Sequence, residues 1–225
     1  MKKLVSLIVL AWITSSAFSQ TTQSGAGSRF RLNVYSAYVF DDKFDSYYDP
    51  YNYYNGHING GYQWGLGAEF MVQPRYCVEF MWQHQSTHAP TYYWDGASTL
   101  HEKYVDFKLN LDYFLIGGEG HVQAPHSKVE GYGGLFLGLA AIGLDNPDNG
   151  NHNSTSKFAW GARLGANVWA TDRIAIKLQA QLLSIAQGAG GGLYFGTGGA
   201  GVGLSTYSSI YQFGLGGGLS FKLGH

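Results

Sequence analysis

The chain of 225 residues is short of three things: it has one cysteine, five prolines and only 13% charged residues. A single cysteine, Cys77, cannot close an intramolecular disulfide, so no disulfide framework holds the fold. The charged fraction falls well below the roughly 25% of soluble domains. A formal net charge of -1 excludes both the basic excess of a nucleic-acid binder and the acidic block of a solvating tail. After residue 20 no apolar run approaches the roughly 20 residues that a membrane-spanning helix needs. A mean hydropathy of -0.13 likewise excludes a bundle of such helices. The glycine-rich stretch 188–203 lacks the GxxxxGK[ST] pattern of a phosphate-binding loop.

What the chain does contain is glycine, at 33 of 225 residues, and aromatics, at 16%; glycine alone is about twice its usual share of roughly 7%. Few charges, many rings and a neutral hydropathy fit a wall in which only alternate residues are apolar. The N-terminus has its own logic. Lys2 and Lys3 precede an apolar run over 4–13, and Ala17-Phe18-Ser19 is a small-x-small cleavage site before Gln20. This reading makes 1–19 a signal peptide, 20–27 a short tail and 28–225 one β-barrel domain.

Period-two alternation recurs in eight segments, 28–40, 58–72, 76–85, 101–116, 129–144, 158–170, 174–186 and 209–223. Each meets or exceeds the roughly 9–11 residues that a tilted strand needs to cross a bilayer. Strands of a soluble sandwich have a mode of about 5–6 residues. The connections alternate between short (73–75, 117–128, 171–173) and long (41–57, 86–100, 145–157, 187–208). Short and long connections therefore gather on opposite rims. The expected fold is all-β: an eight-stranded antiparallel transmembrane up-and-down barrel in a bacterial outer membrane, with both termini periplasmic.

With the apolar face of each segment turned to lipid, the polar face lines the lumen. That assignment sends Leu109 and Leu137 to lipid. It places Arg31, Lys108, Arg163, Lys177 and Lys222 inside, opposite Glu69, Glu79, Asp106, Asp112 and Glu130. Five charges of each sign predict a paired network filling the lumen rather than the single-sign ring of a selective pore. Interior glycines leave room for Arg163 and Phe136. In the first long loop, Tyr47, Tyr48, Tyr51, Tyr53 and Tyr54 form a candidate surface-binding patch, because tyrosine supplies contact area at low entropy cost.

These features together resemble the small outer-membrane β-barrel superfamily of the OmpX and OmpA-barrel type, over 28–223. The alternating last strand, Tyr211 to Leu223, is similar to the terminal strand by which such proteins meet the barrel-assembly machinery. The resemblance implies contact with outer-membrane lipid and lipopolysaccharide, and a role in membrane integrity, adhesion, ligand contact or small-solute passage. No cofactor is implied. Eight histidines are scattered along the chain without a ligand at metal spacing, so no metal site is expected. No catalytic group stands out, and a structural or surface-binding role without enzymatic activity is the expectation. The exception is His84-Gln85-Ser86. Its His and Ser share the outward face of Trp82 and resemble the pair used by outer-membrane lipid A deacylases, with Glu102 as the candidate orienting acid.

Overall fold

Side chains along most of the chain alternate strictly between buried and exposed, the signature of a wall with two different faces. The structure, a computed structural model, describes residues 29–49, 52–94, 103–148, 150–186, 192–196, 199–203 and 210–223. The expected signal peptide and N-terminal tail lie outside them. Twelve strands follow in order: β1 (Phe30–Val39), β2 (Asp42–Asp49), β3 (Asn52–Ile58), β4 (Gly61–Gln73), β5 (Tyr76–Trp94), β6 (Lys103–Gln123), β7 (Val129–Asp145), β8 (His152–Trp169), β9 (Ile174–Ile185), β10 (Gly192–Gly196), β11 (Gly199–Gly203) and β12 (Ile210–Leu223).

Eight of these close a ring. β1 pairs antiparallel with β4 on one side and with β12 on the other, from Phe30 opposite Leu223 to Val39 opposite Gly214. The ring continues through β5, β6, β7, β8 and β9 back to β12. β2 and β3 form a hairpin whose second strand is added to the far end of β5, Tyr53 opposite Trp94 and Gly56 opposite Thr91. β10 and β11 make a separate two-stranded hairpin.

Several expected boundaries move. The 41–57 connection is a β-hairpin, not an irregular loop. β5 runs nine residues past Gln85, and the expected turn 117–128 shrinks because β6 continues to Gln123. The Gly-Gly-Glu-Gly run at 117–120 reads as a turn, yet these glycines sit in the ladder opposite 76–79 and 133–136.

The faces also change along the wall. Near the short turns the outer surface is apolar: Phe70, Val78, Phe80, Ile116, Leu135, Leu137, Leu164 and Ile176 are all exposed. A continuous apolar belt of this kind is covered by lipid. Beyond it, on β5 and β6, the outer residues become His84, Ser86, His88, Asp106, Lys108, Asn110 and Asp112, while Val105, Phe107, Leu109, Leu111 and Leu115 turn inward and are buried. The fourth expected segment keeps its period but exchanges its faces: Leu109 belongs to the interior, not to lipid. Leu137 is on the lipid face, at 57% exposure.

Leu109→Ala should cost about 2–5 kcal/mol, the range for a leucine cut from a closed core. Leu137→Ala should cost markedly less, because lipid refills the space. Leu137→Arg should cost about 2–4 kcal/mol. Urea unfolding of the barrel refolded in bilayers reads all three, and equal costs for the two alanine variants would contradict the exchanged faces.

Candidate functional site

The lumen is filled in three tiers, each made by the residue type that the strands present at that height. Nearest the short turns lies an ionic tier. Arg163 donates from Nε to Glu119 Oε1 at 2.9 Å, and its Nη2 bridges Glu119 Oε1 and Glu79 Oε2. Its guanidinium stacks 4.8 Å from the ring centroids of both Tyr35 and Phe136. Lys177 donates to Glu69 Oε1 at 2.9 Å and lies 4.4 Å over the Tyr132 ring. Arg31 pairs with Glu130 at 3.1 Å, and Trp169 Nε1 donates to the same carboxylate at 2.7 Å. Asn33 donates to Glu69 and Glu79, and the Tyr35 hydroxyl donates to Glu79. Burial makes each of these pairings obligatory, because an unpaired charge here has neither water nor counter-ion.

Glycines create the room. A Cβ at Gly67 would strike the Glu79 carboxylate and the Tyr35 ring, and one at Gly165 would come within 2.6 Å of the Tyr132 hydroxyl. Above the ionic tier lies a tier of amides. Gln181 donates to Gln63 at 2.5 Å and accepts from Gln83 and Gln179 at 3.1 Å, while Gln212 donates to Gln85 at 2.8 Å and accepts from the Tyr113 hydroxyl at 2.6 Å. The third tier is apolar: Phe107, Leu109, Leu111, Ile142, Leu144, Leu183 and Ile185 form one buried cluster.

The structure thus gathers Arg31, Glu69, Glu79, Glu130, Arg163 and Lys177 in one layer. Lys222 stands at its rim, half-exposed, with its ammonium 3.6 Å from the Trp169 centroid. Asp106, Lys108 and Asp112 are not in the lumen. Asp112 accepts from Trp82 Nε1 at 3.1 Å and lies 2.9 Å from His84 Nδ1, and Asp106 lies 3.0 Å from His88 Nδ1, all on the outer face. These carboxylates sit above the apolar belt, where outward means water. Glu119 and His121 belong inside but fall in the run read as a turn; their i, i+2 spacing was the available signal.

Outside, His84, Trp82, Trp64 and Asp112 form a cluster at the upper edge of the belt, with Trp64 edge-on to Trp82 at 4.9 Å. Ser86 is exposed two positions along β5, about 6.6 Å away between Cα atoms by strand geometry. No hydrogen bond joins Ser86 to His84 among the described residues. Glu102, the candidate acid, lies outside the described residues; Asp112 stands against His84 instead. Of the tyrosine patch, Tyr51 also lies outside them. Tyr47, Tyr48, Tyr53 and Tyr54 occupy β2 and β3, Tyr47 opposite Tyr53 and Tyr54 opposite Tyr93.

No family model matches the sequence, and no curated protein matches it. Solved structures do. Neisserial surface protein A aligns with a TM-score of 0.55 at 13% identity, over 88% of this chain and 100% of that one. Outer membrane protein OprG from Pseudomonas aeruginosa gives 0.55 at 14%, over 90% and 100%. The fold is that of the small outer-membrane β-barrels. Outer membrane protease OmpT from Escherichia coli aligns at 0.51 with 9% identity, over 90% and 99%. Bearers of this outer-membrane barrel fold thus differ in activity, and at these identities the likeness is one of fold alone.

Arg163→Ala would leave Glu79 and Glu119 buried without their shared cation. Loss of about 3–5 kcal/mol of folding stability is expected, measured by urea titration of the refolded barrel. Glu79→Gln, which removes one of four carboxylates around three buried cations, should cost less. A smaller loss for Arg163→Ala than for Glu79→Gln would contradict the pairing.

Proposed function

We propose that this chain is an outer-membrane barrel that works at the bacterial surface as a structural and contact-making protein, neither an enzyme nor a channel. Its ends and short turns face the periplasm, and the long-connection rim faces outward. The observation that carries this is the height of the wall. β5, β6, β7 and β8 run 19, 21, 17 and 18 residues, nearly twice the roughly 9–11 needed to cross a bilayer. The surplus is a sheet, polar outside on β5 and β6 and apolar inside on β6 and β7, extended further by the tyrosine-rich β2–β3 hairpin. Such a rigid wall offers area for recognition outside the cell, and the three filled tiers beneath it oppose solute flow. Outer-membrane lipid and lipopolysaccharide are the partners of the belt, an extracellular ligand is the partner of the wall, and the assembly machinery meets β12.

Replacing 42–58 by a short turn should leave the barrel folded, since β4 is held by β1 and by the nearer half of β5. Heat-modifiable gel migration should persist while adherence conferred on expressing cells is lost. Raised permeability to small solutes in cells expressing the intact chain would argue for a channel instead. A cysteine placed at 148, exposed in the long connection after β7, should react with an impermeant maleimide on whole cells and one at 74 should not; the reverse result would invert the topology.

A second reading is favoured by the His84–Asp112 pair: an acyl hydrolase facing the outer leaflet. Ser86 would attack a lipid ester as His84 takes its proton and Asp112 orients the imidazole; the lipid hydroxyl would leave with that proton as the ester C–O bond breaks, and water would then hydrolyse the acyl-serine and release the fatty acid. On the surface-contact reading, the double variant His84→Ala, Ser86→Ala leaves lipid A acylation unchanged. Acyl chains retained only in that double variant would replace the contact reading with the hydrolase.

A further inference from the structure

Just inside the short-turn rim, three neighbouring strands aim four different donors at one point. Glu119 and His121 are two apart on β6 and so share its inner face; Cys77 is the register partner of Glu119 on β5, and Glu69 comes from β4. One Cys77 Sγ, one His121 nitrogen and one oxygen from each glutamate all lie within 4.8 Å of one another. Cys77 Sγ is 3.4 Å from His121 Nε2, and Glu119 Oε2 is 3.9 Å from it. Ligands bonded to a tetrahedral zinc at about 2.0–2.3 Å stand about 3.3–3.8 Å apart, so the set needs to contract by roughly 1 Å.

The ionic tier itself leaves this point unserved. Glu69 commits Oε1 to Lys177 and Asn33, and Glu119 commits Oε1 to Arg163. The second oxygen of each, Oε2, has no hydrogen-bond partner among the described residues, although Glu69 is 0% and Glu119 2% exposed. Glu69 Oε2 has its ion-pair contact with Arg31 Nη1, at 3.7 Å, beyond hydrogen-bond distance. A buried carboxylate oxygen left in this way is costly. His121 Nδ1 lies 2.8 Å from Glu130 Oε1 as an ion-pair contact outside hydrogen-bond geometry, and Nε2 faces Cys77. Charge points the same way: Glu69, Glu79, Glu119 and Glu130 face three buried cations, Arg31, Lys177 and Arg163. Lys157, the other inward-facing cation of β8, is six residues further up that strand, about 20 Å away.

We propose that Glu69, Cys77, Glu119 and His121 bind one divalent transition-metal ion of the zinc class. The mixed sulfur, nitrogen and oxygen set suits zinc or cobalt and not calcium or magnesium, which take oxygen alone. The ion ties β4, β5 and β6 together at the rim. A depression of about 280 Å³ lined by Gln123, Lys128, Trp169 and Lys222 opens at the same rim.

The test uses the mature chain without a histidine tag, refolded in detergent, stripped with chelator and titrated with cobalt(II). One equivalent should bind with a thiolate-to-cobalt charge-transfer band in the near ultraviolet, and zinc should displace it. Cys77→Ser should abolish that band, and His121→Gln should weaken binding at least tenfold, with heat-modifiable migration retained in both. If either variant fails to fold, the folded wild-type barrel decides. Absence of the thiolate band there, or cobalt binding unchanged by Cys77→Ser, overturns the site and leaves the cluster as an imidazole–carboxylate ion-pair layer.

Discussion

Everything in this molecule depends on the pairing of its first barrel strand with its last. Within a bilayer no water satisfies a free N–H or C=O, so a sheet can cross only if it has no edge. The ten-residue register between β1 and β12 removes that edge. Gly216, Gly217 and Gly218 lie in β12 opposite Ala37, Ser36 and Tyr35, and a Cβ at Gly216 would press into Ala37. Closure then fixes the bore, and eight strands enclose only enough space for side chains.

A bore of that width filled by side chains has to solve a different problem at each height. Beside the lipid belt the protein is inside out, apolar outward and ionic inward. The buried charges are tolerable because cations and carboxylates alternate and aromatic rings box Arg163 and Lys177. Past the belt, water replaces lipid and β6, β7 and β9 revert to the ordinary arrangement, with leucine, isoleucine and phenylalanine inside. The glutamine tier lies between the two. Amides suit the transition: they satisfy one another without net charge.

This exchange of faces explains what could be read from the sequence. Alternation shows that a strand has two faces, and on β1, β4, β7, β8, β9 and β12 the apolar one does meet lipid. On β6 the same rule sent Leu109 and Leu111 outward and Asp106, Lys108 and Asp112 inward, because alternation carries no mark of where lipid ends and water begins. The chain does hold such a mark in the switch from Ile116 and Phe114 to Asp112 and Asn110 at positions of the same parity. The partners of the ionic layer were legible as charges on inner positions, but Glu119 and His121 were hidden in a glycine-rich run with turn composition. Their meeting with Cys77 and Glu69 depends on inter-strand register, which no local pattern encodes. The β2–β3 hairpin was hidden for the reverse reason, since its Tyr, Asn and Asp content is equally that of a loop.

The central claim is that one continuous wall is lipid-facing below and water-facing above, around a sealed interior. A spin-label scan along β6 in bilayers, one site at a time from 104 to 122, tests it most directly. Even-numbered sites 114 to 122 should be relaxed by oxygen dissolved in lipid, even-numbered sites 104 to 112 by a water-soluble nickel chelate, and the odd-numbered sites by neither. Oxygen contact at the even-numbered sites 106 to 112, or nickel contact at the odd-numbered sites 105 to 115, would contradict the account: the first extends the lipid belt along the whole strand, and the second opens the lumen to water.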